Sequence, residues 1–277
     1  MIRLAIRCRA EDAELALAQL MELAPSGVEE VRDGEIVEYA IYGPPGEVPA
    51  LPDLRAAVGD GLVEVTTSEI ADDWHERWKQ FHGSVLVGDD ARGRILLRPT
   101  WEPGGAAEDV VEIVLDPGQA FGTGSHPTTR LCMDLMLDLE SAGELVDLGC
   151  GSGVLAIAAR KLGWAPVRGY DFDPLAVEAT AANAVLNDAA VEVARVDLRD
   201  ALPPLAPTVF ANLMRPLLLD VARKIGDPPG GHPVERIVLS GLLDEEADEI
   251  AAAYAALGLR ERRRVSEGGW TGLLLAR

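Results

Sequence analysis

The chain has 277 residues, 48% of them hydrophobic, enough for one large core and a smaller second one. A formal net charge of −21 argues against direct contact with nucleic acid and is accounted for either by solubility alone or by a basic protein partner. No run of about eighteen apolar residues occurs and the N-terminus alternates charged with apolar side chains, so neither a membrane span nor a signal peptide is expected and a cytoplasmic protein is.

Ile2, Leu4, Ile6 and Cys8 alternate with Arg3, Ala5, Arg7 and Arg9, the period of a half-buried strand. Glu11 to Ala24 has helical apolar spacing and is ended by Pro25 and Gly27. Predicted strands at Val28 to Val31 and Glu35 to Tyr42 flank Asp33-Gly34, a two-residue hairpin signal. A short helix near Leu54 to Val58 and a strand at Leu62 to Thr66 complete the order β-α-β-β-α-β. That order predicts a small ferredoxin-like α+β domain over residues 1–68. Residues 69–83 are a linker whose segment Asp72 to Phe81 should be helical, with Trp74, Trp78 and Phe81 on one packing stripe. Strands are predicted at Ser84 to Gly88, Ile95 to Pro99 and Val110 to Leu115. The three cysteines, Cys8, Cys132 and Cys150, are too few and too scattered for a disulfide framework or a zinc site, and no metal is expected. Cys150 is read as a small loop residue, since no base stands near it in sequence.

Asp116 to Arg130, DPGQAFGTGSHPTTR, is a glycine-rich loop leading into a helix over Thr128 to Leu139. Phe121, Thr123, His126 and Thr128 give it an aromatic face and polar groups, so it reads as a binding loop, although Thr128 alone could be a helix cap. Leu145 to Ala159, LVDLGCGSGVLAIAA, reads as strand, glycine loop and helix. Gly149, Gly151 and Gly153 let backbone approach a ligand, and the helix start favours a polar or anionic group. About twenty residues later the strand Val167 to Tyr170 delivers Asp171, the spacing at which a doubly wound fold offers a carboxylate to a ribose diol. Dinucleotide and S-adenosylmethionine (SAM) folds both build this geometry. Val154, where G-x-G-x-x-G/A wants glycine or alanine, leans away from NAD, and an NAD-dependent oxidoreductase is the weaker alternative.

Helix and strand then alternate. Helices are predicted at Pro174 to Asn187, Pro216 to Ile225 and Glu245 to Leu257, strands at Val191 to Val196, Thr208 to Ala211 and Val234 to Ser240, and a terminal hairpin at Arg260 to Val265 with Gly269 to Ala276. This predicts a doubly wound α/β domain over residues 84–277 with an antiparallel edge. Asn212 follows the Thr208 to Ala211 strand, where open α/β sheets place reacting ligands, and its amide oxygen could accept from an amine.

WHERWK at Trp74 to Lys79, LDPGQAFGTGSHPTTRL at Leu115 to Leu131, VDLGCGSGVLAIAA, the DFDP segment from Asp171 and Ala211-Asn212-Leu213 together resemble the ribosomal protein L-eleven methyltransferases, called PrmA. The resemblance spans nearly the whole chain and implies a seven-stranded SAM-dependent methyltransferase fold behind the small N-terminal domain. It implies that Thr128, Gly149, Asp171 and Asn212 hold SAM and that Phe121, Gly151 and Asp197 line the pocket; a mechanism of direct methyl transfer to a neutral amine gives Asn212 the further role of orienting the acceptor. The implied substrate is a basic ribosomal large-subunit protein, docked through the N-terminal domain onto a monomeric enzyme and methylated on lysine ε-amines and its terminal α-amine. After Asn212 the segment MRPLLLD departs from the family's usual continuation, so a different basic protein target is the alternative.

Overall fold

The computed structural model describes residues 2–9, 13, 29–34, 36–43, 62–69, 83–116, 126–225 and 233–277. The chain divides into two compact units, Met1–Phe81 and His82–Arg277. In the first, β1 (Ile2–Arg9), β2 (Glu29–Asp33), β3 (Ile36–Gly43) and β4 (Leu62–Glu69) form an antiparallel sheet in the order β2-β3-β1-β4. Leu4, Ile6 and Cys8 are buried while Arg7 and Arg9 are exposed, as the alternation requires. The strand order is that of a ferredoxin-like sheet. Ala13 is helical and buried; the rest of the predicted helix over 11–24, and those over 54–58 and 72–81, lie outside the described residues.

The second unit contains a three-stranded sheet, β5 (Val85–Asp89), β6 (Gly93–Pro99) and β7 (Val110–Leu115), and a seven-stranded one. The larger sheet is ordered β10-β9-β8-β11-β12-β14-β13, where β8 is Leu145–Leu148, β9 Val167–Asp171, β10 Val191–Arg195, β11 Thr208–Asn212, β12 Arg236–Leu243, β13 Arg260–Glu267 and β14 Trp270–Ala276. Strands β10, β9, β8, β11 and β12 are parallel to one another, and β14 is antiparallel to both β12 and β13. The described helices of this unit are α1 (Pro127–Met136), α2 (Val154–Leu162), α3 (Pro174–Leu186), α4 (Arg215–Ile225) and α5 (Ala247–Ala255). None of the described helices is long and apolar enough to cross a membrane.

Strand periodicity decides which side chains meet. Leu145, Val167, Phe210 and Val238 pack with α1, α2 and α3 on one face, whereas Val146, Leu148, Val209, Ala211 and Leu239 pack with α4 and α5 on the other. Asp147, Asp171, Asn212 and Ser240 share the parity of the first set, so all four belong to the face covered by α1. The order reverses between β8 and β11, which opens a crevice at their C-terminal ends.

Three boundaries differ from those expected. Helix α1 starts at Pro127 and ends at Met136, and its cap is His126, whose ring accepts from the Thr128 N–H, with proline at the first helical position. Strand β11 includes Asn212. Strand β12 runs to Leu243 through a register break between Leu239 and Leu242. There Gly241 lies against the Leu213 backbone so closely that a Cβ would stand 2.4 Å from the Leu213 carbonyl oxygen. A single 3₁₀ turn, Asp244–Glu246, then precedes α5.

Two asparagines one helical turn apart, Asn183 on α3 and Asn187 at its C-cap, tie the smaller sheet to the glycine loop. Asn187 accepts from the Val114 N–H at 2.8 Å and donates to its carbonyl at 2.6 Å. Asn183 accepts from the Asp116 N–H at 3.0 Å and donates to the Ser152 carbonyl at 2.9 Å. Both are buried, so these bonds fix where the Asp116 loop departs relative to the glycines.

Candidate active site

The turn after β8 is held by its neighbour: the Gly149 and Cys150 N–H groups both donate to the Tyr170 carbonyl, at 2.8 and 3.0 Å. Gly149 has φ +75°, and a Cβ there would come within 2.4 Å of Leu213 Cδ2. The absence of a side chain thus sets the spacing between this turn and the segment after Asn212. Asp171 closes the turn from β9. Its Oδ2 accepts from the Gly151 N–H and its Oδ1 from the Asp173 N–H, both at 3.0 Å. Gly149, Gly151 and Asp171 are therefore one assembly, joined by backbone hydrogen bonds across twenty residues.

Thr128 and Asn212 also meet, across 84 residues: Asn212 Nδ2 donates to Thr128 Oγ1 at 3.2 Å. Thr128 is buried at the start of α1, and Asn212 is part-buried at the C-terminal end of β11. His126 Nδ1 stands 2.8 Å from the same Oγ1, and its ring meets Trp270 of β14 edge-on at 5.1 Å. Arg130, one turn into α1, is held at two points by Glu267 of β13, at 2.5 and 3.1 Å. Burial, and then the Arg130 cation, keep the His126 pKa below its ordinary value.

Asp197 stands apart from both groups. It follows β10, and its carboxylate is engaged by Arg199, with Nη2 to Oδ2 at 2.6 Å and the Arg199 N–H to Oδ1 at 2.9 Å. That hydrogen-bonded guanidinium lowers its pKa to about 2. Arg199 also lies over the exposed ring of Phe172, 5.3 Å from its centroid. A backbone bond ties this segment to the Asp171 assembly, the Val196 N–H donating to the Asp171 carbonyl at 2.8 Å. Phe121 lies outside the described residues.

Sequence reasoning passed over Asp147, although a carboxylate inside the apolar strand LVDL is a signal. It is 1% exposed beneath the glycine loop, and neither oxygen has a hydrogen-bond partner among the described residues. The Ala156 N–H, in the first turn of α2, faces it outside hydrogen-bond geometry. Burial, with a further contribution from the Asp171 charge, raises its pKa to about 7. The same carboxylate, second to burial, helps raise the Cys150 thiol to about 12, so Cys150 is no thiolate nucleophile at neutral pH.

A carboxyl whose folded pKa lies above its unfolded value makes the protein less stable as pH rises between the two. The native state still holds a proton there that the unfolded chain has released. The shift from 3.8 to about 7 corresponds to a loss on the order of 4 kcal/mol, complete above about pH 7. Asp147→Asn is therefore expected to melt at a higher temperature than the ligand-free parent at pH 8, with the difference shrinking toward pH 4. Equal melting temperatures at pH 8 would contradict this.

Residues 51–277 match the family model described as Ribosomal protein L11 methyltransferase (PrmA). A ribosomal protein L11 methyltransferase of Laribacter hongkongensis is 35% identical over 98% of this chain and 97% of its own length. One of Bordetella bronchiseptica is 34% identical over 92% of this chain and 93% of its own. That of Geobacter metallireducens is 37% identical over 73% of this chain, a match spanning 66% of its own length. Among solved structures, a ribosomal protein L11 methylase from Lactobacillus delbrueckii subsp. bulgaricus superposes with a TM-score of 0.60 at 26% identity. That match covers 69% of this chain and 98% of the other.

Proposed function

The chain belongs to the ribosomal protein L11 methyltransferase (PrmA) family, and from that membership we propose that it methylates lysine ε-amines and the terminal α-amine of that ribosomal protein. SAM is the cofactor, supplying an electrophilic sulfonium methyl. The observation that carries the reading is the junction of Thr128 and Asn212 beside the Gly149 turn and Asp171, on the sheet face where Asp147 lies buried with no hydrogen-bond partner among the described residues. These residues fit the cofactor. A ribose diol can share the Asp171 carboxylate, the glycine turn admits close backbone approach, and a cationic group nearby would offset the cost of ionising Asp147. Thr128, Gly149, Gly151, Asp171 and Asn212 are proposed to hold the cofactor, and Phe121 and Asp197 to line its pocket.

The acceptor must arrive as a neutral amine. For a lysine of pKa near 10.4 this costs about 4.6 kcal/mol at pH 7, against about 1 kcal/mol for an α-amine near 7.8. Desolvation at the part-buried Asn212 reduces the larger cost. The amide orients the lone pair without restoring the ammonium as a carboxylate would. The negative chain charge complements a basic substrate, and docking is assigned to the N-terminal unit.

The direct test is incubation with tritiated SAM and purified large-subunit proteins, followed by gel separation. One labelled band, the L11 protein, is expected. A label on another basic protein would reassign the target, and no label on any would remove the activity. Asp171→Ala should weaken SAM binding by about 1–3 kcal/mol, because it removes a charged acceptor and also frees the Gly151 N–H that shapes the turn. A dissociation constant unchanged by calorimetry would take Asp171 out of the site.

A further inference from the structure

The hydrogen bonds around Thr128 have a direction, and it ends at Asn212. The Thr128 backbone N–H can only donate, and it is directed to His126 Nδ1 at 3.3 Å. Nδ1 therefore carries a lone pair, and the neutral ring holds its proton on Nε2. Thr128 Oγ1 lies 2.8 Å from the same Nδ1, so the hydroxyl gives its one proton there. Oγ1 can then only accept, and it takes the Asn212 Nδ2–H at 3.2 Å. The reversed amide would set Oδ1 against Oγ1 with no proton between them. Asn212 Oδ1 is consequently the end of the amide turned away from Thr128.

We propose that His126 is a positioning residue for methyl transfer: acting through Thr128, it holds the Asn212 amide so that the carbonyl oxygen, and not the NH2, meets the acceptor amine. The inference rests on the reading of Asn212 as the amine's partner. A nucleophilic amine needs its N–H held by an acceptor and its lone pair left free, whereas an NH2 group would donate into that lone pair.

Protonating His126 removes what fixes the direction of the chain. Nδ1–H can no longer accept, the Thr128 hydroxyl accepts from it, and its own proton is freed to donate toward Asn212, so the amide is no longer held with its carbonyl oxygen turned to the acceptor. Among the described residues, the charged groups facing the ring are Arg130 on α1, paired with Glu267 of β13, while β14 contributes the uncharged Trp270. Burial and Arg130 both favour the neutral, accepting ring at physiological pH.

The test is single-turnover methyl transfer from tritiated SAM to the purified ribosomal protein between pH 5 and 9. Because the amine must be neutral, the rate rises by about one decade per pH unit below the amine pKa for every variant. The parent protein should steepen toward about two decades per unit below the His126 pKa, since two protons must then be lost. His126→Asn retains an acceptor at the cap without a titrating proton. It should keep the pH 8 rate within about threefold and show the single-decade slope throughout. His126→Ala should be slower by about 10² at pH 8, with the SAM dissociation constant within about twofold. His126→Ala with the parental rate, or His126→Asn with the two-decade slope, would overturn the proposal. A parent protein that labels no ribosomal protein at any pH refutes instead the reading it rests on, and the proposal with it.

Discussion

Asn212→Ala should slow methyl transfer by about 10² or more, the scale on which misplacing a reacting group is felt. The side chain stands at the end of β11 with its Nδ2 committed to Thr128, so the alanine variant loses the acceptor for the amine while leaving Thr128 anchored to His126. SAM affinity should fall by less than about 1.5 kcal/mol, the scale of one neutral hydrogen bond. Single-turnover rates at saturating SAM separate the two effects. A variant with the parental single-turnover rate and only an altered SAM dissociation constant would reduce Asn212 to a cofactor contact.

Removing residues 1–81 should abolish methylation of the intact ribosomal protein, lowering kcat/KM by about 10² or more, because binding energy from parts of the substrate remote from the amine is lost. SAM affinity should be nearly intact. Every described residue assigned to the cofactor belongs to the unit His82–Arg277, which has its own seven-stranded sheet and cores on both faces. The decisive comparison is the truncated chain against the full one, on the intact protein and with SAM binding measured on both. A truncated chain with full kcat/KM on the intact substrate would refute docking through the N-terminal unit.

Much of the fold was legible because its signals are local. Alternation in Ile2 to Arg9, the glycine spacing of Leu145 to Ala159 and the Asp33-Gly34 turn each act over a few residues. The elements they predict stand in the structure at β1, at β8 with α2, and between β2 and β3. Boundaries failed where a distant contact decides them. Strand β12 continues past Ser240 because Gly241 abuts the Leu213 backbone, and nothing within residues 234–245 announces that neighbour. Helix α1 is capped by His126, a residue type with weak capping preference that local statistics pass over in favour of the nearby threonines.

The candidate site divides in the same way. Sequence by itself determined the glycine turn, the carboxylate twenty residues beyond it and an amide at a strand end, because motif spacing follows the length of one strand–helix–strand unit. Only the tertiary structure decided that Asn212 bonds to Thr128 across 84 residues, that Asn183 and Asn187 lock the smaller sheet to the glycine loop, and that the Asp197 carboxylate is engaged by Arg199. It also decided that Asp147 is buried with no hydrogen-bond partner among the described residues, and that burial raises its pKa to about 7. The physical reason is that burial, hydrogen-bond direction and desolvation belong to the space between elements. The sheet order β10-β9-β8-β11-β12 creates that space by bringing together strand ends far apart in the chain.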